Sequence, residues 1–378
     1  MKELTFGLIE KVPCPNTIDL WMKKCGKHDI DQAPKELEGQ DYAIVTDECM
    51  MIAGQKSLPT IAIPASHNGR PIQQGDIRII GINVSDSWTA KSVSEALEND
   101  IAKVGHAPKY AITDNDHKMK NAISLLGITR IHDISHTLAM FMERTYGKDS
   151  DFVEFNSLMA DCKRKNCMNK TAYLQSPSQR TKARFMNLSE WVKWADTMLL
   201  IMEDLSPEEK EVFSFLPQYE SFIHEMKGIV SSVRYIEKTM KDEGFSKESV
   251  RKCRDHIVSH VMCGNARVQK AGQMILEFLD DESAILQDDD VLNNSTDILE
   301  SMFGVHKYIQ SPNSLNGVTC IVLHLPVLFK MSAENASMNY DVKERLCKVK
   351  VRDIKLWKEE NLMDNLVAKR VRLMQKAA

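Results

Sequence analysis

Three acids stand where they could share divalent cations: Asp47, Asp114 and Glu300. Asp47 closes the short run Asp41-Tyr42-Ala43-Ile44-Val45-Thr46. The run has no helical stripe and follows the turn signal Gly39-Gln40, so it reads as a buried strand with a carboxylate at its end. Tyr110-Ala111-Ile112-Thr113-Asp114 repeats the pattern and leads through Asn115 and Asp116 into a helical pattern. Glu300 lies in the amphipathic segment Asp297-Ile298-Leu299-Glu300-Ser301-Met302-Phe303. Two Mg2+ or Mn2+ ions about 3.5–4 Å apart need several hard oxygen ligands converging on one cleft. Carboxylates suit that need because they are anionic, hard and able to bridge. Ions so held activate a water or a 3′-hydroxyl and stabilise the leaving oxygen of an in-line displacement at phosphorus. The bland alternative is that a chain with 53 acids ends some strands in an acid by chance.

Other residues carry weaker signals. Asp116 is an alternate ligand, two residues beyond Asp114. His136, in Asp133-Ile134-Ser135-His136, can bond a phosphate or orient a metal-bound water, or it can simply belong to a helix start. Glu300 and Lys307 are two helical turns apart and share a face, so Lys307 can hold a phosphate or be an ordinary surface lysine. Cys253, His256, His260 and Cys263 form one helical stripe, but its ends lie about 15 Å apart at 1.5 Å per residue. One helix cannot wrap a zinc ion with all four, so a packed helix face is the better account. Trp191 and Trp194 can stack on an unpaired base, although core packing explains them more simply.

The elements that must position these residues follow from periodicity. Residues 1–38 carry two short helical patterns around Val12-Pro13-Cys14-Pro15-Asn16, the second capped by Asn16 or Thr17 and stopping near Gly26. Helix, turn, helix is compatible with a DNA-binding element and equally with any helical hairpin. Residues 39–136 alternate: strands ending at Asp47, over 58–63 and over 77–84, a helix over 90–104, the Asp114 strand, a helix over 119–126, and a strand over 130–134. Three strands, helix, strand, helix, strand is the order of an RNase H-like core, with Asp47 and Asp114 in its first part. From 137 to 290 the pattern is helical and reads as an all-α insertion that leaves through Asp288-Asp289-Asp290. Residues 291–335 return to the core with Glu300, and 336–378 form a basic helical tail.

Composition sets the outer bounds. The chain has 378 residues, enough for two or three domains. No run of about 18 apolar residues suggests a membrane span, and Met1-Lys2-Glu3-Leu4 lacks the apolar region of a signal peptide. Nine cysteines, an odd number at irregular spacing, fit free thiols in a reducing cytoplasm. Net charge is −4, which excludes a generally basic polyanion binder, but the charges are segregated. Seven Lys/Arg and no acid lie between Lys163 and Arg184, whereas nine acids and no base lie between Glu277 and Glu300. Basic tracts beside a separate acidic region suit a protein that meets a polyanion locally, and solvated helix faces would look the same.

The chain resembles the DDE transposases of bacterial insertion sequences, those with an RNase H-like core interrupted by a helical insertion. The matching words run in order: Pro13-Cys14-Pro15-Asn16-Thr17-Ile18 with Trp21 and Gly26, Ile44-Val45-Thr46-Asp47, Ile52-Ala53-Gly54-Gln55-Lys56 and Ala111-Ile112-Thr113-Asp114. Asp133-Ile134-Ser135-His136, Thr181-Lys182-Ala183-Arg184-Phe185-Met186-Asn187-Leu188, Leu299-Glu300-Ser301-Met302-Phe303-Gly304 and the Trp357 region follow. The resemblance implies Asp47, Asp114 and Glu300 as metal-binding catalytic acids that hold two Mg2+ or Mn2+ ions. It places His136 beside them, and Lys307 pairs with Glu300 as in many such enzymes. Asn293 and Thr296 stand where one subgroup carries Tyr and Arg.

The activity so implied is cleavage of DNA at the ends of a mobile element and transfer of the 3′ end to target DNA. A homodimer or larger assembly on DNA in the bacterial nucleoid would do this, without a membrane or a small-molecule cofactor. Lys163, Arg164, Lys165, Arg180, Lys182 and Arg184 would track backbone phosphates. Two alternatives keep the fold: a nuclease or resolvase that does not join strands, and a domesticated, non-catalytic DNA-binding protein.

Overall fold

The computed structural model describes residues 13–52, 54–178, 184–309, 315, 317–332 and 340–377. The chain divides into two compact units, one of Met1–Ser66, Ile72–Ile131 and Ser295–Ala378, the other of His67–Pro71 and His132–Asn294. In chain order the elements are α1 (Pro15–Glu36), β1 (Tyr42–Thr46), β2 (Cys49–Ile52), β3 (Gln55–Pro64), β4 (Arg78–Ser85), α2 (Ala90–Val104), β5 (Ala111–Thr113), α3 (His117–Leu125) and β6 (Arg130–His132). Then come α4 (Ile134–Tyr146), α5 (Ser150–Asn166), α6 (Leu188–Ile201), α7 (Pro207–Val212), α8 (Glu220–Asp242), α9 (Lys247–His260), α10 (Ala266–Ser283), α11 (Asp297–Ile309) and α12 (His324–Ser332). Three more helices, Val342–Lys348, Val351–Asn361 and Leu366–Ala377, close the described chain. None of the described helices is long and apolar enough to cross a membrane.

The first unit is built on a mixed sheet. β1, β3 and β4 run antiparallel in succession, β5 lies parallel to β1, and β6 follows beside β5. Six strands are assigned, but β1 and β2 are two segments of one strand. β4 occupies Lys56–Ala62 along one edge of β3, so both segments must share its other edge. Their register is continuous as well, Thr46 opposite Thr60 and Cys49 opposite Ser57. The interruption at Asp47-Glu48 has a local cause. The Ile44 N–H bonds across to the Tyr110 carbonyl on the β5 side, so odd-numbered residues of β1 turn their backbone groups toward β3. That register sets Asp47 against Pro59, which has no N–H to donate, and the ladder breaks there. Five strand positions in this order, with crossover helices α2 and α3, make a mixed sheet compatible with an RNase H-like α/β fold.

One face of the sheet carries Tyr42, Ile44, Leu58, Ala62, Ile80 and Ala111 into a core with Ala33 and Leu37 from α1, Val93 and Leu97 from α2, and Met119 and Ile123 from α3. Asp100 of α2 is buried against this sheet, accepting from Thr60 Oγ1 (2.7 Å), Asn83 Nδ2 (2.9 Å) and Lys103 Nζ (2.6 Å). Gly81 leaves room for it, because a β-carbon there would come within 1.8 Å of the Asp100 carboxylate.

The first of the two expected helical patterns lies outside the described residues, while α1 corrects the expectation of a helix that stops near Gly26. It is one helix of 22 residues, entered at Cys14 with Pro15 in the first turn, where a missing N–H costs nothing. Gly26 is buried mid-helix, facing the Leu323 carbonyl. The helix is part of the unit's packing. Asp29, buried on it, accepts from Tyr340 (2.7 Å) and Arg345 (2.9 Å), which ties the segment before and within Val342–Lys348 to α1.

The second unit is helical. α9 and α10 are separate helices because Gly264 precedes Asn265, whose side chain caps α10 at Val268 N–H (3.1 Å). Phe152, Phe155, Trp191 and Phe222 pack together, and Trp194 donates to the Leu174 carbonyl (2.8 Å), so both tryptophans serve the interior. Arg267 binds Asp149 (2.7 Å), Asp151 (2.9 Å) and Glu225 (2.9 Å) beside a cleft of about 590 Å³.

Candidate functional site

The parallel register of β1 and β5 pairs Ile44 with Ala111 and Val45 with Ile112. Both strands therefore end together, Thr46 beside Thr113, and the next residues are Asp47 and Asp114. Side chains alternate along a strand, so both aspartates fall on the face of Val45 and Ile112, opposite the face that packs α2 and α3. Neighbouring strands lie about 4.8 Å apart, a spacing at which two carboxylates can share one hard cation. Both residues are half-buried. Asp114 Oδ1 accepts from the Asp116 N–H (3.0 Å), and its carbonyl accepts from Arg130 Nη2, which fixes the turn that presents it.

The neighbouring acids are engaged otherwise. Asp116 caps α3, accepting from the Lys118 N–H (2.6 Å), and faces the Lys118 ammonium at 3.6 Å. Glu48, one residue beyond Asp47, gives Oε1 to Lys56 and Oε2 to Lys118. Burial pushes the Glu48 carboxyl up, but the hydrogen bonds and charges of Lys118 and Lys56 outweigh it and hold the carboxyl below the usual range. The same bond to Glu48 raises the Lys118 ammonium. Sequence reasoning missed this group. Its one visible signal is that Glu48 occupies the opposite strand face from Asp47, with Lys56 on a β run and Lys118 in the first turn after Asp114.

Glu300 belongs to the same unit and is exposed on α11, as is Lys307 one face-repeat later. The Ser295 hydroxyl accepts from the Asp297 N–H (3.2 Å) at the helix start. Among the described residues no three His, Cys, Asp or Glu side chains are gathered closely enough to hold a metal ion. The strand register thus brings Asp47 and Asp114 together. The donor chemistry of the aspartate pair fits half of a hard-cation site.

The remaining candidates lie in the second unit. Asp133, fully buried, is the N-cap of α4 and accepts from the His136 N–H (2.6 Å), so His136 stands in the helix's first turn, half-buried. Lys163 donates to the Ser176 carbonyl (2.7 Å) and Ser178 Oγ (3.0 Å), tying a loop, while Arg164 pairs with Asp161 (2.9 Å) and Lys165 is exposed. Arg180 and Lys182 lie outside the described residues, and Arg184 opens the 3-10 turn Arg184–Met186. In the cysteine–histidine stripe, Cys253 is buried, while His256 stacks between Tyr235 (4.1 Å) and His260 (4.3 Å). Only the Cys253–His256 end of the stripe packs, since α9 ends at His260, and His260 and Cys263 are exposed.

The sequence matches no protein-family model and no curated protein. Among solved structures the chain is similar to the Drosophila P element transposase strand transfer complex, with a TM-score of 0.42 and 10% identity over 86% of each chain.

Proposed function

We propose that the chain is a metal-dependent DNA strand transferase of the DDE transposase type, in which Asp47, Asp114 and Glu300 are the catalytic acids. The observation that carries this reading is the in-register pair Asp47 and Asp114 at the ends of adjacent parallel strands. Of the four acids around these strand ends, Glu48 and Asp116 meet Lys118 of α3, whereas Asp47 and Asp114 fall together on the opposite face of the sheet. Bound Mg2+ or Mn2+ would supply charge stabilisation at the reacting phosphate oxygens. Asp47 and Asp114 would hold it, and Glu300 is the acid assigned to complete the set. Exposed Arg164 and Lys165 would meet DNA phosphates, whereas Lys163 contributes less because its ammonium already holds a loop.

Mn2+ titration of the full chain tests this, with Asp47→Asn, Asp114→Asn and Glu300→Gln alongside. Second-sphere changes weaken metal sites by roughly 10–100-fold, so loss of a ligand should cost about 100-fold or more in each variant. The same variants should lose Mg2+-dependent nicking and strand transfer on supercoiled DNA. Wild-type-like Mn2+ binding in the aspartate variants would sink the assignment. A second reading is a DNA-binding protein of this fold without chemistry. It predicts DNA binding with no Asp47-dependent Mn2+ site.

A further inference from the structure

Glu48 follows Asp47 in the chain but faces the other side of the sheet, among the residues that meet α3. Its side chain is 10% exposed and its two oxygens are divided between Lys56 of β3 and Lys118 of α3. A carboxylate so withdrawn from water is tolerated only when paired and hydrogen-bonded, and here both conditions hold. From Lys118 the connection continues. Asp116 caps the Lys118 N–H at 2.6 Å, and the Asp116 N–H is held by Asp114 Oδ1 at 3.0 Å. An unbroken path therefore runs from Asp47 through Glu48, Lys118 and Asp116 to Asp114. It lies where β1 passes Pro59, which has no N–H to donate, so a side-chain clamp stands beside the backbone that carries Asp47 at the point where the ladder loses a donor.

We propose that Glu48 is a positioning residue for the Asp47–Asp114 pair, holding the two strand ends at the separation that one divalent cation requires. The proposal rests on the reading of that pair as a cation site. Loss of the carboxylate would leave Lys56 and Lys118 facing each other without a counter-charge. The ends of β1, β3 and α3 would separate, although both aspartates remain in the chain.

The test is isothermal titration of Mn2+ into the full chain: wild type, Asp47→Asn, Glu48→Gln, Lys118→Met, Lys118→Arg and the double variant Glu48→Gln/Lys118→Met. Each of Glu48→Gln and Lys118→Met should weaken Mn2+ binding about tenfold, the low end of second-sphere effects. Lys118→Arg should bind like wild type, because it keeps the pair. The double variant should be no weaker than the worse single, since both act through one clamp. A thermal melt of each variant checks folding, and if Glu48→Gln fails to fold, Lys118→Met and Lys118→Arg carry the comparison. Asp47-dependent Mn2+ binding that Glu48→Gln and Lys118→Met leave unchanged would overturn the positioning role alone. Wild-type protein without an Asp47-dependent Mn2+ site would overturn it together with the reading beneath it.

Discussion

Gly26 of α1 faces the carbonyl oxygen of Leu323 so closely that a β-carbon there would come within 1.6 Å of it. Leu323 closes the 3-10 turn Cys320–Leu323 that leads into α12, so the approach is of backbone to backbone and no side chain can move aside. In an isolated helix, alanine would be preferred to glycine by about 1 kcal/mol. Overpacking in a filled interior costs about 1–3 kcal/mol, and more where the clash is with backbone. The clash wins, so Gly26→Ala should destabilise the first unit by about 2 kcal/mol or more. Denaturant unfolding of the variant measures this, and an unchanged or raised midpoint would refute the close approach.

Gly26 also shows which features the sequence conceals. A glycine after a helical pattern reads as a stop, because its local signal is only the loss of a side chain. Its actual cause, Leu323, lies far along the chain. Glu48 was hidden for the same reason: Lys118 lies 70 residues away, and strand alternation shows only which face Glu48 takes, not which residue it meets. By contrast Ile44-Val45-Thr46-Asp47 and Ala111-Ile112-Thr113-Asp114 contain everything needed to place an acid just past a buried strand. The order of strands and crossover helices could be read from periodicity alone. Whether Glu300 joins the aspartates depends on tertiary placement of α11, which periodicity does not encode. Helix rise alone was enough to forbid one ion from reaching both ends of the stripe from Cys253 to Cys263, but it did not reveal that α9 stops at His260 and leaves His260 and Cys263 exposed.

Glu237 of α8 sets up an acid-sensitive contact within the second unit. Burial pushes its carboxyl up, but Lys241 at 2.7 Å, the Ser135 hydroxyl and the charge of Arg234 together hold it below its ordinary value of 4.5. A carboxyl depressed in the folded state contributes stability that is complete above the unfolded value. That contribution is lost as pH falls through the lower, folded value. The denaturant midpoint should therefore drop more steeply below about pH 4.5 in wild type than in Glu237→Gln, with the two curves offset at pH 7. Parallel curves from pH 7 to pH 3 would show that this carboxyl is not linked to folding.

Thiol reactivity separates the cysteines by environment and completes the case against zinc on α9. Cys253 is fully buried in the helical unit, and burial pushes its thiol up to about 12. Cys14 is exposed at the start of α1, where its Sγ meets Thr17 Oγ1 at 3.1 Å, and the hydrogen bonds from Thr17 lower its thiol. The thiolate is the reacting species, so at pH 8 the native chain should modify rapidly at Cys14 with a maleimide and remain unmodified at Cys253 until it is denatured. Peptide mapping after brief labelling reads both sites at once. Added Zn2+ should leave the Cys253 result unchanged, because a buried neutral thiol inside a packed face offers no ligand. Rapid native labelling of Cys253, or its protection only when Zn2+ is present, would contradict this packing.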